Sequence, residues 1–100
     1  MGLLDILGIG SAKKIKIQEM LNNNGLIVDV RTQNEFDMGN AEGSICVPLE
    51  SLKHKTNKLK SLKRPLILVC HSGARSGVAS STLGAQGIEC INGGRWRKYA

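Results

Sequence analysis

A cysteine at the end of an apolar segment is the feature of this chain that points most directly to chemistry. Leu66 to Val69 have the composition of a buried strand, and Cys70 follows them directly. A short loop of small and polar residues comes next, and the residues after it, 75–86, are predicted to be a helix. In a strand–loop–helix unit, the loop N–H groups and the helix N-terminus surround one point and favour negative charge there. A thiol at that point is shifted toward the thiolate, which is the nucleophilic form.

A free cysteine at a strand end is also commonly nothing more than a small buried hydrophobic side chain. Here, however, a glycine, an arginine and a hydroxyl residue follow the cysteine at fixed offsets, as Gly73, Arg75 and Ser76. A strand that only fills a core needs none of them. We therefore interpret Cys70 as a reactive thiol.

The loop and three other segments resemble a known family. Cys70 to Ser76, CHSGARS, is similar to the active-site loop of the rhodanese family, whose pattern is Cys-x-x-Gly-x-Arg-Ser/Thr. Asp29 to Phe36 resembles the family's Asp-Val-Arg-x-x-x-Glu-Phe/Tyr segment. Gly39 to Pro48 and Ile91 to Trp96 resemble two further family segments, and all four occur in the family's order. Asn40 and Cys46 depart from the usual histidine and asparagine, which bears on substrate preference.

The resemblance implies a sulfurtransferase. Cys70 would take sulfane sulfur from a donor such as thiosulfate, carry it as a persulfide, and pass it to a thiophilic acceptor, cyanide or a thiol. The loop would bind the substrate through His71, Ser72, Gly73, Ala74, Arg75 and Ser76. Three residues of the earlier segment would brace the loop: Asp29, Arg31 and Glu35. Arg75 is expected to pair with one of the two carboxylates among them.

Two other classes of function remain open. Cysteine-dependent phosphatases and arsenate reductases have loops of the form Cys-x5-Arg, whereas four residues separate Cys70 from Arg75 here. A shorter ring of amides suits a single sulfur atom better than a tetrahedral oxyanion. The third class is a binding module in which Cys70 relays persulfide sulfur for one partner protein.

The elements that must position the loop alternate along the chain. Short apolar segments rich in β-branched residues predict strands over 26–30, 44–47, 66–69 and 88–91. Helices are predicted between them, over 34–38, 49–62 and 75–86, while 14–18 fits a strand or a helix. Asn92-Gly93-Gly94 predicts a turn. This alternation predicts an α/β fold, with a parallel sheet of about four or five strands flanked by helices on both faces.

Length and composition limit the domain organisation, the cellular location and the kinds of site that the chain can have. One hundred residues suit one domain, divided here into an N-terminal segment over 1–12, helical or frayed, and a rhodanese-like domain over 13–100. An odd count of three cysteines, with no paired spacing, argues against a disulfide framework and predicts a reducing, cytoplasmic location. No Cys or His cluster predicts a metal site, and no cofactor is expected. No segment is long and apolar enough to predict a membrane span.

The net charge of +6 comes largely from residues 53–64. Leucines at helical spacing predict that these lysines lie on a solvated helix face. With one Trp, one Tyr and one Phe, the chain has no stacking platform for nucleic acid. The expected partners are a small anionic sulfur donor and a thiol or cyanide acceptor, with an acidic sulfur-carrier or thioredoxin-like protein as an alternative acceptor. The protein is expected to be a monomer.

Overall fold

The fold is a parallel sheet between two layers of helices, as a computed structural model of residues 9–100 describes it. The sheet has four strands, which are β1 (Leu26–Asp29), β2 (Ile45–Cys46), β3 (Leu66–Cys70) and β4 (Cys90–Arg95). Their order in the sheet is β2-β1-β3-β4, and each neighbouring pair is parallel. The predicted fold class is confirmed.

Among residues 9–100, four α-helices and two short 3-10 helices connect or flank the strands. The α-helices are α1 (Ile9–Asn22), α2 (Gln33–Asp37), α3 (Leu52–Ser61) and α4 (Ala74–Ala85). The 3-10 helices span Leu49–Ser51 and Trp96–Tyr99, so the helix predicted over 49–62 is divided at its first turn. The ambiguous segment 14–18 is helical. Residues 1–8 of the predicted N-terminal segment lie outside the described residues, and residues 9–12 belong to α1.

Strand β3 is the centre of the core, and all five of its residues are buried. Because side chains alternate along a strand, Leu66 and Leu68 face one side of the sheet while Ile67 and Val69 face the other. The first side is covered by α3 and α4 and the second by α1. Full burial of each such side chain is worth about 1.5–3 kcal/mol, so the strand that ends in Cys70 is firmly held.

The last strand differs from its prediction. The prediction of a strand over 88–91 followed by a turn is wrong, because β4 continues through Asn92, Gly93 and Gly94 to Arg95. Leu68 pairs with Asn92 and Val69 pairs with Gly94, so Gly93 is the extra residue of a β-bulge. A Cβ at Gly93 would lie 2.5 Å from a methyl carbon of Ile67, which only glycine avoids. Gly94 has a φ of +83°, where glycine is favoured. The glycines therefore shape a bulge rather than a turn.

The carboxyl ends of the parallel strands meet at one edge of the sheet, as parallel pairing requires. Asp29 at the end of β1 pairs with Val69, and Cys70 at the end of β3 pairs with Arg95. The segments after β1 and β3 and the end of β4 therefore lie together. Within residues 9–100, no helix has both the length and the apolar character needed to cross a membrane.

Candidate active site

The thiol of Cys70 is surrounded by hydrogen-bond donors. Its side chain is buried, with 0% of its surface exposed, at the end of β3. The sulfur accepts the backbone N–H of Gly73 at 3.0 Å and that of Ser76 at 3.4 Å. The Ser76 hydroxyl oxygen lies 3.3 Å from the same sulfur. Donors that converge on one atom stabilise negative charge there.

A left-handed glycine makes this arrangement possible. Gly73 has a φ of +101° and is the N-cap of α4, so the chain turns over the sulfur and enters the helix at Ala74. The first helical hydrogen bond runs from the Gly77 N–H to the Gly73 carbonyl at 3.0 Å. Most other residues are disfavoured at such a φ, and this explains a glycine three positions after the cysteine.

The environment of Cys70 favours its thiolate. Burial alone raises the pKa of this thiol, but hydrogen bonds from the Ser76 hydroxyl and from the loop amides outweigh burial and hold the pKa below its usual value. Burial raises the pKa of Cys46, which also lies near the Asp29 carboxylate, and burial raises the pKa of Cys90. Of the three cysteines, Cys70 is therefore the one whose surroundings suit a nucleophile.

A buried ion pair supports the segment after β1. Asp29 is 0% exposed and Arg31 is 4% exposed. The Arg31 side chain donates to both carboxylate oxygens of Asp29 at 2.8–3.0 Å. The same guanidinium donates to the carbonyls of Glu35 and Gly39 at 3.1 and 2.7 Å and lies 4.5 Å from the ring centroid of Trp96. Arg31 thereby ties together three segments at the carboxyl edge of the sheet.

A second ion pair ties α4 to α2. Two nitrogens of Arg75 contact the two carboxylate oxygens of Glu35 at 2.7 and 3.0 Å. Asp29, the other carboxylate that the sequence predicts as a partner of Arg75, pairs with Arg31 instead. Glu35 also accepts from the backbone and hydroxyl of Thr32 in a capping box at the start of α2. Both side chains of the Arg75–Glu35 pair are 36% exposed, so water screens the pair in part.

This second pair predicts a dependence of stability on pH. Mainly through the hydrogen bond from Arg75, the folded protein lowers the pKa of Glu35 from 4.5 to about 2. A lowered folded-state pKa stabilises the fold above the unfolded-state pKa, and that stabilisation is lost as pH falls from 4.5 toward 2. Urea titrations should show that Glu35→Gln is less stable than the wild type at pH 6, and that the difference shrinks in acid. Glu42→Gln, at an exposed site, serves as the control. A difference for Glu35→Gln that does not change with pH would contradict this assignment.

The other predicted loop residues lie on the outside. His71, Ser72 and Ala74 are exposed, and the side-chain hydrogen bond at the sulfur involves Ser76 instead. His71 instead lines a surface hollow of about 250 Å³ beside the loop. Met38 lines the same hollow and is 90% exposed. The loop therefore offers its backbone to the sulfur and its side chains to solvent.

One residue of the site lies where the sequence predicts only a turn. The side chain of Asn92 contacts the Ser76 hydroxyl at 2.7 Å and the Gly73 carbonyl at 3.0 Å. The bulge in β4 places it there. No motif in the sequence signals this contact, because it depends on how β4 pairs with β3.

Comparison with known families agrees with this geometry. The family profile of the rhodanese-like domain matches residues 14–95, which is more than half of the chain. The chain belongs to the rhodanese-like domain family. The resemblance drawn from the four sequence segments is thereby confirmed, and the matched residues include the cysteine loop and both ion pairs.

The relatives of this rhodanese-like domain include an uncharacterized protein and a sulfurtransferase. It is 39% identical over 61 residues to the uncharacterized protein YqhL of Bacillus subtilis, covering 61% of this chain and 48% of that protein. It is 35% identical over 65 residues to the thiosulfate sulfurtransferase GlpE of Shewanella oneidensis, covering 65% of this chain and 63% of that protein. The chain thus spans less than two thirds of either relative. At the level of the family, the likeness supports sulfur transfer.

A solved structure shares the fold. The crystal structure of a rhodanese-like domain protein from Staphylococcus aureus superposes with a TM-score of 0.66 at 28% sequence identity. The superposition covers 74% of this chain and 72% of the other. The parallel sheet and its flanking helices are therefore those of the family.

Proposed function

We propose that this rhodanese-like domain is a sulfurtransferase that carries sulfane sulfur on Cys70. The Cys70 thiolate attacks the outer sulfur of a donor such as thiosulfate, the sulfur–sulfur bond of the donor breaks, and sulfite leaves with the electron pair. A persulfide remains on Cys70. A thiol or cyanide then attacks its outer sulfur, and the Cys70 thiolate leaves. Two half-reactions that share a covalent intermediate predict ping-pong kinetics.

The observation that carries this proposal is the convergence of the Gly73 and Ser76 N–H groups on the Cys70 sulfur, at 3.0 and 3.4 Å. Both half-reactions place negative charge on a sulfur atom at this position, first as the attacking thiolate and last as the leaving thiolate. Fixed amide dipoles stabilise that charge without having to reorient. The same donors lower the pKa of Cys70, so a larger share of the enzyme is in the attacking form.

The burial of Cys70 adds a requirement to the mechanism. Because its side chain has 0% exposure, the sulfur must be uncovered before a donor reaches it, while the N–H groups of Gly73 and Ser76 stay directed at it. The side chains of His71, Ser72 and Ala74 are exposed and can move aside without displacing those N–H groups. The strand below stays in place because all of β3 is buried.

The ion pair of Arg75 argues against a phosphatase. An oxyanion-binding arginine must direct its guanidinium at the substrate, whereas both contacting nitrogens of Arg75 are on Glu35. The loop is also one residue shorter than the Cys-x5-Arg form. We therefore favour sulfur over phosphate or arsenate as the transferred group or substrate. A persulfide relay to one partner protein uses the same chemistry on Cys70 and differs in its acceptor.

Two assays run in parallel test the proposal. The purified protein should form thiocyanate from thiosulfate and cyanide, and it should leave an aryl phosphate unhydrolysed. The Cys70→Ser protein is the matched control in both assays, since any activity that it retains does not come from this site. Hydrolysis of the aryl phosphate that depends on Cys70, without thiocyanate formation, would overturn the proposal.

A further inference from the structure

The carboxamide of Asn92 bridges the loop and the helix beside the sulfur. Its nitrogen donates to the Gly73 carbonyl at 3.0 Å. Its oxygen accepts the Gly94 N–H at 3.0 Å and the Ser76 hydroxyl at 2.7 Å. A carbonyl needs a donor and an N–H needs an acceptor, so these neighbours fix which end of the amide faces which partner. The carboxamide oxygen therefore faces Ser76.

This orientation sets the direction of the Ser76 hydroxyl. An amide oxygen carries no hydrogen, so the single hydroxyl proton of Ser76 points at Asn92. The hydroxyl oxygen then presents a lone pair to the Cys70 sulfur 3.3 Å away. In the neutral enzyme, the Cys70 thiol accordingly donates to Ser76, and Ser76 donates to Asn92.

Loss of the thiol proton reverses the first of these hydrogen bonds. A thiolate has no hydrogen to donate, and a charged acceptor binds a hydroxyl proton more strongly than a neutral amide oxygen does. Rotation about one bond turns the Ser76 proton toward the sulfur, with no backbone movement. Asn92 keeps its hydrogen bond from Gly94, so its oxygen is not left without a donor.

We propose that Asn92 is a positioning residue that gives the Ser76 hydroxyl two alternative partners, so that the hydroxyl follows the charge on the Cys70 sulfur. The role in turnover rests on the sulfur transfer proposed above. In the persulfide, the inner sulfur is uncharged, and the hydroxyl donates to Asn92. When the acceptor removes the outer sulfur, the inner sulfur regains its charge and the hydroxyl turns to it.

The packing around Asn92 holds it in place for this role. Ser76 is fully buried, so water does not compete for its proton. A Cβ at Gly77 would lie 3.2 Å from the Asn92 amide nitrogen, which shows how closely the carboxamide approaches α4. The bulge at Gly93 and the positive φ of Gly94 bring the Gly94 N–H onto the carboxamide oxygen.

The pH dependence of alkylation of Cys70 by iodoacetamide tests the proposal. Cys46 and Cys90 are replaced by serine in every protein so that Cys70 is the reacting thiol. Asn92→Ala removes the alternative acceptor, frees the Ser76 proton for the sulfur, and should lower the thiol pKa by about half a unit or more. Asn92→Asp holds the proton more strongly and adds negative charge, and it should raise the thiol pKa by at least as much. Asn22→Ala, an exposed asparagine in α1, should change nothing.

The direction of the shift separates positioning from support of the loop. If Asn92 only braced Gly73, both variants would loosen the loop amides and raise the thiol pKa, so a raised or unchanged pKa in Asn92→Ala would overturn the proposal. In a Ser76→Ala background, Asn92→Ala should no longer lower the pKa, and a shift that persists there would also overturn it. Should Asn92→Ala not fold, Asn92→Asp decides, since its shift must shrink when Ser76 is absent. Alkylation needs no sulfur donor, so this result is independent of the transfer assay.

Discussion

Replacing Cys70 by serine is expected to lower sulfur transfer by about 10³-fold or more, because it removes the nucleophile on which we propose that the sulfur is carried. A serine hydroxyl does not ionise near neutral pH and forms no persulfide. The fold should persist, since the serine oxygen can accept the same N–H groups of Gly73 and Ser76 that the sulfur accepts. Initial rates of thiocyanate formation, measured beside the thermal unfolding midpoint, give both quantities.

The other two cysteines provide matched controls. The Cys46 thiol donates to the Arg31 carbonyl at 3.6 Å, and the Cys90 thiol donates to the Ser80 carbonyl at 3.4 Å. Neither sulfur contacts the loop of Cys70, so Cys46→Ser and Cys90→Ser should keep most of the activity. Near wild-type rates in Cys70→Ser, or loss of activity in either control, would show that the sulfur is carried elsewhere.

Replacing Asp29 by alanine should lower the free energy of unfolding by about 3–5 kcal/mol, because it leaves the buried guanidinium of Arg31 without a counter-charge. Such a loss is a large part of the roughly 5–15 kcal/mol that stabilises a domain of this size. Asp29 is 0% exposed and accepts three hydrogen bonds from the Arg31 side chain, so little of this cost is screened by water. Urea denaturation at neutral pH measures this loss in the free energy of unfolding.

Asp37→Ala is the matched control for this change. Asp37 is exposed at the end of α2 and accepts one hydrogen bond, from Gln33 at 2.8 Å. Its removal should cost less than about 0.5 kcal/mol. Equal effects of the two substitutions would contradict a structural role for the Asp29–Arg31 pair.

The Arg75–Glu35 pair is expected to contribute less to stability than the Asp29–Arg31 pair. It is partly exposed, and surface pairs contribute about 0.2–1 kcal/mol.

The sequence predicts the part of the site that is local in the chain. An apolar strand, a glycine at the third position after the cysteine and a helix that follows are enough to predict the strand end, the turn of the loop and the donors around Cys70. The capping box of Thr32 and Glu35 is likewise a local signal, and the structure contains it. Alternation of strands and helices predicts the parallel sheet, because a crossover helix is the usual way to join parallel strands.

The contacts of the site that the sequence does not predict depend on how distant segments of the chain pair. Asn-Gly-Gly is a common turn sequence, and only the register of β4 against β3 makes Gly93 a bulge and brings Asn92 to Ser76. In the same way, the sequence does not show whether Asp29 or Glu35 pairs with Arg75. The choice of Glu35 follows from the buried pair between Arg31 and Asp29, and the Asp-Val-Arg pattern that contains these two residues does not show that they pair with each other.

Mass spectrometry of the protein after exposure to thiosulfate tests the central claim most directly. The peptide that contains Cys70 should gain the mass of one sulfur atom, and cyanide should remove that gain and release thiocyanate. The peptides that contain Cys46 and Cys90 should keep their masses in the same sample. An added sulfur on either of those peptides, or sulfur transfer that proceeds with Cys70 unmodified throughout turnover, would contradict a persulfide carried on Cys70.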